Sequence, residues 1–78
     1  MDPKPVEKGM HQNIGRASAV LSALARNAEN GMRFSDVVEA TGLGKGAAHR
    51  VLAGLTAYGL AEKDEATGRF FLGIEIIS

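Results

Sequence analysis

A short basic cluster in the second half of the chain has the residue types that contact nucleic acid. Lys45, His49 and Arg50 lie close together, and no acidic residue lies between or beside them. An arginine can donate two parallel hydrogen bonds to guanine O6 and N7, and a lysine suits a phosphate. The cluster therefore predicts contact with double-stranded DNA, provided that a helix presents these side chains on one face.

The segment from Lys45 to Tyr58 has the residue spacing of such a helix. At about 100° per residue, the apolar positions fall in one arc, namely Ala48, Val51, Leu52, Leu55 and Tyr58. The opposite face holds small and basic residues and no acid, namely Gly46, His49, Arg50, Ala53, Gly54 and Ala57. Small side chains allow close approach to a DNA groove, so we predict a recognition helix whose N-terminal Lys45, Gly46 and Ala47 contact DNA.

Two further helices are predicted ahead of the recognition helix. Apolar residues recur at helical spacing between Gly15 and Asn30, namely Ala17, Val20, Leu21, Leu24 and Ala28. After a short apolar stretch that could form a small strand, Ser35 is predicted to be the N-cap of a second helix and to lie near the DNA. This helix ends at Thr41, with Gly42 suited to a left-handed position. Two helices joined by a short glycine-containing turn indicate a helix-turn-helix.

The C-terminal part of the chain predicts a β-hairpin. Its strands run over residues 60–63 and 69–73, and the polar turn between them ends in Gly68. Lys63 and Arg69 flank the turn and are predicted to lie along the DNA backbone, although Glu62, Asp64 and Glu65 repel phosphate. Phe71 points away from the strand face of Phe70, and its partner is left open. The predicted fold is mainly α with a small β-hairpin, a winged helix-turn-helix made of a three-helix bundle plus a wing.

A chain of 78 residues accommodates one domain of this kind. We assign residues 14–73 to the winged helix-turn-helix. Residues 1–13 contain both prolines and lack apolar periodicity, and they are predicted to form a flexible arm. Residues 74–78 are apolar and predict the start of a linker to a C-terminal domain that this chain does not contain.

Several classes of function are disfavoured by the composition. The chain has no cysteine, which excludes disulfides and cysteine-based zinc sites, and its two histidines are too isolated for a metal site. No nucleophile–base pair is evident, so we expect neither an enzyme nor a cofactor. The apolar runs are too short to span a bilayer and no signal peptide is recognisable, which predicts a cytoplasmic protein. A net charge of zero counts against DNA binding, but this objection is weakened because the basic cluster is separate from the acidic residues Glu62, Asp64 and Glu65.

Self-association is predicted from small and apolar residues outside the expected core. Ala19 and Ala23 lie on the side of the first helix away from its apolar stripe, and Ile74 and Ile77 have no evident cover. We therefore expect a homodimer, with completion of the monomer's own core by the isoleucines as the alternative. A winged helix used for protein–protein contact is the alternative function. DNA binding weakens steeply with salt, which distinguishes the two functions.

Residues 13–78 also resemble a known family. The run from Thr41 to Leu52, TGLGKGAAHRVL, is similar to the recognition segment of IclR-family transcription regulators. Leu55, Gly59–Leu60 and Glu62 resemble the stretch that follows it, and residues 67–73, TGRFFLG, resemble the family's wing. Ile14 to Leu21 looks like the opening of its first helix.

The resemblance implies a winged helix-turn-helix that dimerises through its first helix and linker helix and binds palindromic operators. It also implies a larger effector-binding domain, which is missing from this chain. Two departures from the family pattern affect the recognition helix. Gly44 stands where the family has proline, and Gly46 and Ala47 replace a Ser–Thr pair that typically contacts DNA. The missing hydroxyls imply a different affinity or target sequence.

Overall fold

The computed structural model describes the backbone of residues 8–73 and the side chains of residues 11–73. Its elements are α1 (Lys8–Arg26), α2 (Phe34–Thr41), α3 (Lys45–Ala57), β1 (Ala61–Lys63) and β2 (Phe70–Leu72). The two strands pair antiparallel, with Ala61 opposite Leu72 and Lys63 opposite Phe70. This order of three helices and a hairpin confirms the predicted winged helix-turn-helix.

Helix α1 lies at the centre of the domain, because α2, α3 and β2 all pack against it. Its buried surface is therefore wider than one stripe and includes Val20, Ala23 and Leu24. Ala23 is only 1% exposed, so its predicted role in a dimer contact is wrong. Its small side chain serves the monomer's own core, in which the α1 residues meet Met32, Val37, Leu52, Leu55 and Ala61. Ala19 is half-buried.

Helix α1 begins at Lys8, earlier than the sequence pattern predicted. The predicted flexible arm is thus wrong for residues 8–13, whereas residues 1–7 lie outside the described residues. Ile14, which precedes the predicted apolar stripe, is 61% exposed, whereas Val20 and Leu24 of that stripe are fully buried. Ile74 and Ile77, with the predicted linker at 74–78, also lie outside the described residues. No helix in the described part of the chain has the length and apolarity needed to cross a membrane.

Helix α2 begins one residue before Ser35. Its N-cap is Arg33, so the predicted N-cap at Ser35 is wrong. Asp36 accounts for the shift, because its Oδ2 accepts a hydrogen bond of 3.0 Å from the backbone N–H of Arg33. The Arg33 side chain cannot in turn cap the backbone N–H of Asp36, because a guanidinium has hydrogen-bond donors only. Asp36 lies in the first turn of α2, where its carboxylate also interacts favourably with the helix dipole.

The turn between α2 and α3 confirms the helix-turn-helix geometry. Gly42 adopts the left-handed conformation (φ 73°), and its N–H donates to the carbonyl of Val38 at 2.9 Å. Residues 43 and 44 complete the turn, and Gly44 is the N-cap of α3. Helix α3 ends at Ala57, and Tyr58 is 81% exposed rather than part of the apolar arc. Its side chain is thus largely open to solvent among the described residues.

The hairpin is attached to the loop between α1 and α2. Met32 and Phe70 exchange two backbone hydrogen bonds of 2.9 and 2.7 Å, which add an isolated antiparallel bridge to the hairpin. The small strand considered in this stretch is therefore reduced to one bridging residue, because α2 already begins at Phe34. The ring of Phe71 lies over Gly31, so close that a Cβ atom there would be 2.6 Å from its Cζ. Phe71, whose partner the sequence left open, is thus half-buried against this loop.

Candidate nucleic-acid interface

Helix α3 presents the small and basic face that its sequence predicted. Gly46, His49, Arg50, Ala53, Gly54 and Ala57 are all exposed, as is Lys45, whereas Ala48, Leu52 and Leu55 are buried. The Arg50 guanidinium lies over the first turn, since a Cβ atom at Gly46 would be 3.6 Å from Nη1. The exposed face therefore consists mostly of small side chains, with the long side chain of one arginine and no carboxylate.

The N-terminus of α3 is open to an anion. Its N-cap, Gly44, makes no side-chain hydrogen bond to the helix, and the first turn carries Lys45 and no acid. The first N–H groups of a helix have no intrahelical acceptor and bear a partial positive charge, which suits a phosphate. Gly46 is exposed and Ala47 half-buried at this end of α3, and Ser35 is exposed in the first turn of α2.

One side of α3 faces the wing across a groove of about 380 Å³. His49 and Phe34 meet edge to face on the groove wall, with ring centroids 6.3 Å apart and an interplanar angle of 70°. On the opposite wall the Lys63 ammonium lies 5.7 Å from the centroid of the Phe70 ring. An imidazole and an ammonium thus line the same groove, each in contact with an aromatic ring.

The wing carries charges of both signs. Arg69 is directed toward the loop after α1, where its Nη1 donates to the carbonyl of Asn30 at 3.4 Å. Glu62, Asp64 and Glu65 are exposed. The Thr67 hydroxyl donates a hydrogen bond of 2.6 Å to Asp64, which lowers the pKa of that carboxyl and keeps it ionised. The wing can therefore offer Lys63 and Arg69 to a phosphate only beside three acidic side chains.

The other side of α3 faces α1 across a groove of about 530 Å³, which the sequence interpretation missed. Asn13 and Arg16 of α1 line this groove, together with Arg50 of α3. Asn13 lies in the predicted flexible arm, and Arg16 lies at the start of the predicted first helix, which was expected to pack in the core. A signal was present in the sequence, because α1 contains no aspartate or glutamate.

Comparison with known proteins identifies the domain that these elements form. Residues 14–65 match the IclR helix-turn-helix domain. The glycerol operon regulatory protein of Streptomyces coelicolor is 41% identical over 66 residues, and its counterpart in Streptomyces griseus is 40% identical over 67 residues. These alignments cover 85% and 86% of this chain but 26% of each relative, so the chain spans about a quarter of their length.

Solved structures share this fold. HmgR of Pseudomonas aeruginosa has a TM-score of 0.77 at 29% identity, over 85% of this chain and 27% of its own. An IclR-family regulator from Brucella abortus has a TM-score of 0.77 at 22% identity, over 99% of this chain and 29% of its own, and supports the fold alone. Because the match to the IclR helix-turn-helix domain spans most of the chain, this protein belongs to the IclR family and is a DNA-binding domain of transcription regulation.

Proposed function

We propose that this domain recognises a specific sequence of double-stranded DNA with α3 in the major groove and the wing on the backbone. The observation that carries the proposal is the exposed face of α3, which has basic and small residues and no acid. We propose further that the domain acts in the cytoplasm as part of a longer regulator with an effector-binding domain. The glycerol operon regulators, of which this chain matches 26%, support that arrangement. They do not favour a protein-interaction module that lacks DNA binding.

The side chains have separate roles in this proposal. Arg50 reads a guanine through O6 and N7, and His49, beside it on the exposed face, contacts the same groove. Lys45 and the open N-terminal turn at Gly46 and Ala47 bind a phosphate. Ser35 supplies a hydroxyl at the N-terminus of α2, where the second backbone contact of a helix-turn-helix is made. Because Gly46 and Ala47 have no hydroxyl, base recognition depends on Arg50 more than in typical family members.

The wing has a secondary role, in which Lys63 and Arg69 contact the sugar–phosphate backbone. These contacts carry no base information and contribute to binding mainly through counterion release. The exposed acids at Glu62, Asp64 and Glu65 limit this contribution.

Substitution of two arginines tests this division of roles. Arg50→Ala is expected to relax sequence preference and to weaken binding to the selected site by about 1–3 kcal/mol, because a bidentate base contact is lost. Arg69→Ala should weaken all sequences alike and lower the salt slope by about 1, because a phosphate contact is lost. The measurements are fluorescence anisotropy titrations on a duplex selected from a random library and on its scrambled version, at several salt concentrations. Unchanged affinity and preference in Arg50→Ala would contradict the assignment of α3.

We also propose that the domain binds a palindromic operator as a homodimer. A single recognition helix reads only a few base pairs, and two-fold related domains place a second one about one helical turn away, roughly 34–36 Å. Half-buried Ala19 and the segment with Ile74 and Ile77 remain the proposed contacts, whereas Ala23 is excluded by its burial. Hydroxyl-radical footprinting on the selected duplex should show two-fold symmetric protection. An asymmetric footprint with one protein per duplex would contradict the dimer.

A further inference from the structure

The groove between α1 and α3 has polar side chains along its rim and apolar ones along its floor. Asn13 and Arg16 project from α1, and Arg50 faces them from α3. The floor consists of Ala17, Val51, Leu55 and Leu60. None of the described residues that line the groove is acidic, so its two guanidiniums give it a positive charge that an anionic ligand can complement.

The two helices that form this groove are the most basic part of the domain. Helices α1 and α3 together contain five of the nine lysines and arginines and none of the nine acids. Asn13 and Arg16 are three positions apart, so they lie on the same face of α1 and can hold one ligand together. The net charge of zero hence conceals a basic surface that runs from α3 onto α1.

The position of the groove relative to α3 indicates which anion it suits. A helix in the major groove has one phosphate backbone on each side, because the groove is about 12 Å wide and a helix with its side chains is about 10–12 Å across. With α3 placed in this way, Lys63 in the groove on the wing side of α3 would lie toward the first backbone. On the other side, Arg16 and Asn13 occupy the corresponding place next to Arg50.

We propose that α1 is a second backbone-binding element of this domain, in which Arg16 and Asn13 bind a phosphate on the DNA strand opposite the wing. The proposal rests on the placement of α3 in the major groove. Arg16 supplies the charge and Asn13 a neutral donor. Because the described lining of this groove contains no acid, a phosphate there meets less electrostatic repulsion than at the wing, where Glu62 and Asp64 lie close to Lys63.

The test compares two arginines of the same helix on a mixed-sequence duplex, which requires no knowledge of the operator. Each phosphate contact adds about 0.9 to the slope of log K against log salt. Arg16→Gln is therefore expected to lower the slope by about 1. Between 50 and 200 mM salt, the factor by which affinity falls should be about 3.5 times smaller for this variant than for the parent. Arg16→Lys should keep the parent slope. Arg26→Gln is the matched control, because Arg26 is exposed in the last turn of α1 and does not line the groove.

A second pair of variants keeps the test independent of any structural role of half-buried Arg16. Asn13→Asp places a negative charge on the groove rim and should weaken binding several-fold, more than Gln12→Glu, whose exposed side chain does not line the groove. A parent slope in Arg16→Gln, or equal effects of the two α1 acids, would overturn the inference. If the α1 variants gave either of these results while Arg50→Ala still lost binding, the placement of α3 in the major groove would stand without the α1 contact. If the parent showed no salt-dependent binding, the proposed function itself would fail.

Discussion

Replacing Leu52 with aspartate is expected to unfold this domain. Leu52 is 2% exposed and packs in the core with Leu24 and Val37. The described part of the chain buries no charged or polar residue, so a carboxylate at this position would have no partner and would cost several kcal/mol. A domain of this size has about 5–10 kcal/mol of total stability. Circular dichroism should show loss of helix at 25 °C and no cooperative thermal transition.

The adjacent residue provides the matched control. Ala53→Asp introduces the same charge on the exposed face of α3, where water solvates it. We expect its unfolding transition to stay within a few degrees of the parent, while DNA binding falls because the carboxylate repels phosphate. Equal loss of stability at both positions would show that the two faces of α3 had been assigned wrongly. An Ala53→Asp variant that is folded and binds DNA as the parent does would contradict the proposed interface.

The elements of this fold that were predictable are those that local signals specify. Gly42 ends α2 because a glycine adopts the left-handed conformation without strain. The turn from Asp64 to Gly68 sets the hairpin, which the structure places within one residue of its predicted strands. In α3 the apolar arc and its opposite face follow from helical periodicity alone, so the candidate DNA face could be predicted too.

The errors arose where tertiary contacts decide. A single apolar stripe predicts that Ala23 lies at the surface, whereas three elements pack around α1 and bury it. Tyr58 continues the periodic arc in sequence, but α3 has already ended at Ala57. Ser35 is of a residue type that is preferred at N-caps, yet the Asp36 carboxylate fixes Arg33 in that position instead.

The same limit applies to the candidate site. Sequence spacing identified Arg50 and Lys45, because both lie on one helix. It could not place Arg16 across a groove from Arg50, since that proximity depends on how α1 packs against α3. Nor could it show that Arg69 reaches the carbonyl of Asn30, which lies far away in sequence.

Gly73 gives the second large effect, because its neighbourhood has no room for a side chain. Its N–H donates to the carbonyl of Leu60 at 2.9 Å, one position beyond the pairing of Ala61 with Leu72. Gly59, in the left-handed conformation with φ 74°, turns the chain from α3 into this pairing. As a result, a Cβ atom at Gly73 would lie 2.0 Å from the carbonyl oxygen of Gly59. This obstacle is backbone, which cannot be relieved by a rotamer change.

We therefore expect Gly73→Ala to destabilise the domain by about 3 kcal/mol, at the upper end of what overpacking costs. The lowering of Tm should be on the order of 10–20 °C for a domain of this size. Gly54→Ala is the matched control, because it adds the same methyl group inside α3, where nothing lies within 4 Å of the new Cβ atom. Removing a glycine from a helix interior should stabilise the domain by up to about 1 kcal/mol. Thermal and urea melts of the two variants should thus shift in opposite directions. If the Gly73→Ala domain were as stable as the parent, Gly59 and Gly73 could not approach as closely as the structure places them. The arrangement of the junction that joins the wing to α3 would then also be wrong.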